Sequence, residues 1–286
     1  MAELLKGKPV ADAITAKVRQ EAERLKAMGI IPTLAIIRVG ENEADLSYER
    51  GALKRCESAG IQVKKLVLPA DVSAEEFYDT IEKANKDPKI HGILMFRPVP
   101  KYLNNVKARN AIAYEKDIDG CTDDSLAGVF TDTPKGFAPC TAQAVIEIFD
   151  HYGIELKGKK VAIIGRSLVV GKPLAMLLLN RHATVTVCHT RTVDIPSVTK
   201  DADIVVAAAG QAEMLGKEYF REGQIVADVG ISWSEAKQKI TGDVKFDEAE
   251  PLVEKITPVP GGVGSVTTSV LVSNLVTAAK RQNGIE

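Results

Sequence analysis

The sequence predicts an α/β protein of two lobes, each built from parallel strands covered by helices. Two observations carry this expectation. Helix-period and strand-period segments alternate almost throughout the chain, the pattern that βα units leave. The strands read as short buried runs, such as Thr33-Leu-Ala-Ile-Ile-Arg-Val39 and Lys160-Val-Ala-Ile-Ile164. With 286 residues the chain is long enough for two modest domains, and the simplest division puts their junction near residues 140–158. No internal repeat, low-complexity tract or flexible linker interrupts the pattern.

The elements follow in order. Val10, Ile14, Val18 and Leu25 share one helical face, and Gly29 closes that helix. The strand from Thr33 ends at a turn on Gly40. A helix is expected over about 45–59, stopped by Gly60, and then a strand over 61–68. Ser73 and Glu76 stand at capping-box spacing and open the next helix. A third strand, over 90–96, is stopped by Pro98 and Pro100. A loop-rich stretch fills 117–139, after which Thr141 caps a helix reaching about His151. The strand from Lys160 runs into Gly165. Further strands are expected over 183–187, 204–207 and 224–229, then a small hairpin over 232–244 and a long final helix over 265–281.

Composition narrows the function classes. The chain is 45% hydrophobic and 26% charged with a net charge of −1, so nothing electrostatic favours nucleic acid or an anionic membrane as partner. Aromatic residues are too few for a base-stacking platform. The N-terminal stretch has early charges and no apolar core, so a signal peptide is not expected, and no window approaches the length of a membrane span. Cys56, Cys121, Cys140 and Cys188 lie far apart without ligand spacing. They read as reduced thiols of a cytoplasmic protein, with no metal site.

The first chemical signal is the turn Gly165-Arg166-Ser167-Leu-Val-Val-Gly171-Lys-Pro173, between a strand and a helix. Glycines stand where the backbone must turn sharply and approach a ligand closely, and helix N-terminal amides then face a pyrophosphate. The spacing Gly-x-Ser-x-x-x-Gly departs from the usual Gly-x-Gly-x-x-Gly, and by itself an ordinary tight turn explains it equally well. The following strand ends in His189-Thr190-Arg191-Thr192, with no carboxylate to hold a ribose 2′-hydroxyl. Arg166, Thr190 and Arg191 offer a cationic, hydroxyl-rich site suited to a 2′-phosphate, so NADP is the expected cofactor.

At this point the chain resembles the methylenetetrahydrofolate dehydrogenase/cyclohydrolase family of one-carbon metabolism. The cofactor turn matches, and Thr257-Pro-Val-Pro-Gly-Gly-Val-Gly264 is the most distinctive signature. Lys116-Asp-Ile-Asp-Gly120, Pro139-Cys-Thr141, Asp228-Val-Gly-Ile231 and Gly242-Asp-Val244 match in order. The resemblance implies a folate-binding catalytic lobe over 1–140, completed by a returning helix at 265–286, and a Rossmann-type NADP-binding domain over 141–264. It implies NADP contacts at Gly165, Arg166, Ser167, Thr190 and Ile231, to which the residue reading adds Arg191. Asp119 would bind the pterin, and Pro260, Gly261 and Gly262 would line a folate pocket in the cleft between the lobes. Tyr48 and Asp119 are the catalytic candidates, Tyr48 also touching substrate. A tetrahydrofolate derivative is the implied substrate and a homodimer the implied assembly.

Four positions depart from the family pattern. The family's catalytic lysine lies four residues after a tyrosine; with Tyr48 on that tyrosine, the lysine position is Ala52. Lys54, two residues on, is turned about 200° around a helix. The family's glutamine at the end of the third strand is Phe96, followed by Arg97 where the family has leucine, and Ser265 replaces a proline. Hydride transfer from the methylene bridge requires no proton transfer, so positioning the reactants is enough. Opening the methenyl ring needs activated water, and a positioned acid/base contributes roughly 10²–10⁴ in rate. The expectation is therefore oxidation of 5,10-methylenetetrahydrofolate with cyclohydrolase activity weak or absent. Full bifunctional activity yielding 10-formyltetrahydrofolate, an inactive nucleotide- or folate-binding homologue, and an oxidoreductase on a related substrate remain open.

Overall fold

A computed structural model describes residues 1–235 and 237–285. In chain order its regular elements are β1 (Glu3–Leu4), α1 (Gly7–Ala27), β2 (Thr33–Val39), α2 (Glu43–Ala59), β3 (Gln62–Leu68), α3 (Ala74–Lys86), β4 (Gly92–Met95), α4 (Asn105–Asn110), α5 (Asp123–Thr131), α6 (Cys140–His151), β5 (Lys160–Ile164), α7 (Gly171–Asn180), β6 (Thr184–Cys188), α8 (Ile195–Asp201), β7 (Ile204–Ala207), β8 (Ile225–Asp228), β9 (Ser232–Ser234), β10 (Lys239–Thr241), α9 (Phe246–Ala249), β11 (Lys255–Ile256) and α10 (Gly264–Gln282). The chain divides into two compact units, Asp12–Cys140 with Thr268–Glu286, and Met1–Ala11 with Thr141–Thr267.

The first of these units holds a three-stranded parallel sheet in the order β3-β2-β4. Ala35, Ile37, Ile93 and Met95 point to one face and form a core with Phe77, Ile81 and Ala84 of α3. Leu34, Ile36 and Leu94 point the other way and are buried as well, so both faces of the sheet are covered. Ser73 caps α3 by accepting from the Glu76 N–H at 3.1 Å. Burying Phe77 and Ile81 contributes about 1.5–3 kcal/mol each. The stretch read as loop over 117–139 contains α5. Its cap is Thr122, whose hydroxyl accepts from the Ser125 N–H at 3.0 Å, and its C-terminus closes on Asp132 at φ 53°. The segment's Asp, Ser and Gly content conceals a short helix that capping, not periodicity, defines.

The second unit holds six parallel strands in the order β1-β11-β8-β7-β5-β6. The chain runs from β5 outward to β6 and then crosses back to β7 on the far side of β5. Such a reversal leaves a crevice at the C-terminal strand ends, where ligands of open α/β sheets bind. The first eleven residues belong here and not with the lobe that follows them, because Glu3 and Leu4 pair in register with Lys255 and Ile256. The strands β1 and β11, two residues each, are too short for a periodicity reading. The expected hairpin is present as β9 and β10, with Trp233 opposite Ile240; residue 236 between them lies outside the described residues, as does residue 286 of the last segment.

Candidate active site

In the three-stranded unit, α2 carries Tyr48 and, one turn on, Ala52. Ala52, Cys56 and Ala59 are fully buried along one face, while Lys54 is exposed. The tilt of α2 is fixed at Glu49, whose carboxylate takes the Arg38 Nε at 2.9 Å and the Lys65 Nζ at 2.7 Å. Phe96 continues β4 by donating its N–H to the Ile37 carbonyl at 3.0 Å. Its ring meets that of Tyr48 edge to face, with centroids 5.9 Å apart and planes at 82°. The two positions singled out by sequence, the tyrosine and the glutamine replacement, are thus in contact.

Asp119 belongs to the same cluster. Two residues earlier, the fully buried Asp117 organises the turn: its carboxylate accepts from the N–H groups of Cys121 (3.0 Å) and Thr122 (2.7 Å) and from the Ser125 hydroxyl (2.7 Å). Turn-capping therefore falls to Asp117, which sequence reasoning passed over, and Asp119 has the Arg97 guanidinium and the Cys140 thiol beside it. Arg97 Nη2 stands 3.6 Å from Asp119 Oδ2, an ion pair too long for a hydrogen bond. Burial pushes the Asp119 carboxyl up to about 6 against the pull of Arg97, and it pushes the Tyr48 hydroxyl well above its usual range. Gly120 is required behind it: at φ +69° its missing Cβ would lie 2.5 Å from the Ala138–Pro139 peptide.

Two further cations of this unit, Lys116 and Arg55, have partners. Lys116 is buried and its ammonium donates to the carbonyls of Ala84 (3.1 Å) and Asp87 (2.8 Å) at the end of α3. Arg55 donates to the Thr15 hydroxyl at 2.9 Å.

In the six-stranded unit, Gly165 sits at the reversal of strand order. Its φ is +125°, and a Cβ there would lie 2.1 Å from the Ala208 carbonyl oxygen just beyond β7. A Cβ on Gly171 would meet the Gly165 carbonyl at 2.0 Å. The Ser167 hydroxyl accepts from the Val170 N–H at 3.1 Å and tightens the turn into α7. Arg166, Ser167, Thr190 and Arg191 are all exposed around it, and Gly165 itself is tied to the end of β6 by donation to the Cys188 carbonyl at 2.9 Å. The backbone is thus close-packed on the protein side, with basic and hydroxyl groups on the solvent side, as a dinucleotide's phosphates need.

Ile231, Pro260, Gly261 and Gly262 meet around one cavity of about 170 Å³ in the same unit. Its frame rests on two buried aspartates that sequence reasoning cited only as motif letters. Asp228 accepts from the N–H groups of Gly230, Asp243 and Val244 at 2.9–3.0 Å, and Asp243 accepts from those of Ala209, Gly210 and Gln211 at 2.6–3.0 Å. Gly242 allows this closure, since a Cβ would lie 1.9 Å from Asp228 Oδ2. Gly7, at the start of α1, donates to the Gly261 carbonyl at 2.8 Å. Among the described residues no cluster of three or more His, Cys, Asp and Glu is placed to hold a metal ion, and no helix is long and apolar enough to cross a membrane.

The catalytic-domain model of the tetrahydrofolate dehydrogenase/cyclohydrolase family matches residues 5–119, and that family's NAD(P)-binding domain model matches residues 139–283. A bifunctional protein FolD of Carboxydothermus hydrogenoformans is 51% identical over the whole of both chains. The crystal structure of the bifunctional FolD methylenetetrahydrofolate dehydrogenase/cyclohydrolase of Campylobacter jejuni superposes with a TM-score of 0.95, at 38% identity over 98% of this chain and 99% of that one. The Trypanosoma brucei methylenetetrahydrofolate dehydrogenase-cyclohydrolase, solved with NADP and an inhibitor, gives 0.91 at 35% identity over 98% of each.

Proposed function

Because the chain belongs to the tetrahydrofolate dehydrogenase/cyclohydrolase family, we propose that it oxidises 5,10-methylenetetrahydrofolate to 5,10-methenyltetrahydrofolate with NADP, and that it hydrolyses the product to 10-formyltetrahydrofolate as its bifunctional relatives are named to do. The observation that carries this is end-to-end identity of 51% with a bifunctional protein FolD, beside 38% identity over 98% of the chain with a solved bifunctional FolD named methylenetetrahydrofolate dehydrogenase/cyclohydrolase. Gly165 and Gly171 support the cofactor assignment, since without side chains they let the turn pack tightly against Ala208 and itself at the strand-order reversal, where open α/β sheets bind dinucleotides. NADP, when bound, supplies the hydride acceptor. Arg166, Thr190 and Arg191 bind its 2′-phosphate, and Ile231 gives an apolar wall beside the Pro260–Gly262 loop. Asp119 accepts hydrogen bonds from the pterin, and Tyr48 holds the ring from α2.

A second reading keeps the dehydrogenase and restricts the hydrolysis. It is favoured by Ala52, fully buried where the family's lysine stands, and by the Phe96 ring against Tyr48, which fills the place of the lysine's glutamine partner. The relatives' names weigh against this reading, and one assay separates the two. Methylenetetrahydrofolate and NADP are supplied, and reduced cofactor, methenyl and formyl products are followed separately. Prompt formyl product alongside reduced cofactor supports the bifunctional enzyme. Accumulating methenyl product supports the restricted one, and NADP binding without reduction refutes both.

A further inference from the structure

Arg97 is the one charged group of the Tyr48–Asp119 cluster that the proposed function leaves without a task. Its side chain stands directly after Phe96, and its Nε is buried with no hydrogen-bond partner among the described residues. Nη2 approaches Asp119 to 3.6 Å without bonding to it, so both groups keep hydrogen-bonding capacity. Three-quarters of each side chain is covered, which places an unpartnered donor beside a carboxylate, bonded to the Cys140 thiol, that has further acceptor sites, in a largely dry setting. A buried donor left unmade is costly, so such a pair persists where a ligand completes it.

We infer that Arg97 is a specificity-determining residue that, with Asp119, reads the edge of a 2-amino-4-oxopyrimidine ring. This rests on the reading of Asp119 as the pterin acceptor. That edge presents an amino group and an N3–H, which a carboxylate accepts, next to a carbonyl oxygen, which a guanidinium satisfies. The planar fork of arginine holds its donors at fixed angles, where a lysine would offer a point charge. The leucine that the family carries at this position neither donates nor discriminates. A ring with a 4-amino group in place of the 4-oxo group sets donor against donor at Arg97, and a site built to hydrogen-bond a substrate rejects an analogue that cannot.

The test compares the wild-type protein with Arg97→Leu and Arg97→Lys. Binding of 5-formyltetrahydrofolate, a 4-oxo ring, is measured against its 2,4-diamino analogue, together with KM for methylenetetrahydrofolate and for NADP. In Arg97→Leu we expect a folate KM raised about tenfold, an NADP KM unchanged, and a preference for the 4-oxo ring reduced about tenfold. Arg97→Lys falls between, keeping the charge without the fork. Unchanged folate KM and ring preference in Arg97→Leu overturn the inference while leaving the functional reading intact. Equal loss of affinity for both rings also overturns it, because it assigns Arg97 a packing role. A wild-type protein that binds neither ring and reduces no NADP overturns both.

Discussion

Ala52 and Phe96 test whether the hydrolytic step is governed by two side chains. Replacing Ala52→Lys and Phe96→Gln together puts an amine one helical turn from Tyr48 and an amide where the aromatic ring now lies. If the second reading is right, cyclohydrolase activity measured on methenyltetrahydrofolate rises by about 10² or more, the worth of a positioned acid/base. Lys54→Met, on the exposed side of α2, leaves both activities unchanged. Asp119 adds a pH signature. The charged and titratable groups facing it among the described residues are Arg97, Asp117, Cys140, Tyr48 and Cys121; Arg97 favours its ionised form most, and the Cys140 thiol favours it by hydrogen bonding. With its carboxyl pushed up to about 6, protonation on acidification removes the pterin's acceptor, so KM for the folate climbs as pH falls through about 6. Arg97→Leu removes the charge that favours ionisation and moves that limb to higher pH. Sequence reading found Asp119 and Phe96 but could not join Arg97 to Asp119, since nothing in a linear spacing says that the end of β4 folds back on that turn. Nor could it divide the work between Asp117 and Asp119, which only the hydrogen bonds reveal.

At the scale of elements, Gly165 joins β5 to α7 in a conformation open to glycine alone. Gly165→Ala would place a methyl 2.1 Å from the Ala208 carbonyl and force the turn to move. The strain is of order 1–3 kcal/mol. NADP affinity by calorimetry should fall at least about tenfold, with folate-analogue binding retained. Asp243→Ala tests a different joint, because three backbone N–H groups after β7 lose their acceptor. At about 0.5–1.5 kcal/mol for each hydrogen bond lost in this part-buried turn, stability should drop by about 2 kcal/mol or more in denaturant titration. The regular elements were legible where burial dictates composition: the run from Thr33 to Val39 lies between Pro32 and Gly40 and can only be a covered strand. The short α4 and α5 were not legible, nor were β1 and β11, because caps and pairing partners define them rather than any hydrophobic period.

For the whole molecule, neither compact unit is a continuous piece of chain. Thr268–Glu286 completes the three-stranded unit, with Leu271 and Leu275 fully buried, Asn274 donating to the Ile118 carbonyl at 2.9 Å and Gln282 to the His91 carbonyl at 2.8 Å. A fragment of residues 12–140 should therefore lack a cooperative thermal transition, and adding a peptide of residues 264–285 should restore one; calorimetry reads both. The homodimer that the family resemblance implies is checked by light scattering, which should return twice the chain mass of 30.8 kDa.

The pairing of β1 with β11 also sets a clock on biosynthesis. Glu3 meets Lys255, its neighbour in the sheet and its ion-pair partner, 252 residues further along the chain. At about 5–20 residues per second, a ribosome takes roughly 10–50 s to supply that partner after Glu3 is made. For that interval the first strand has no sheet to join, and the six-stranded unit is complete only once Lys255 and Ile256 have been made.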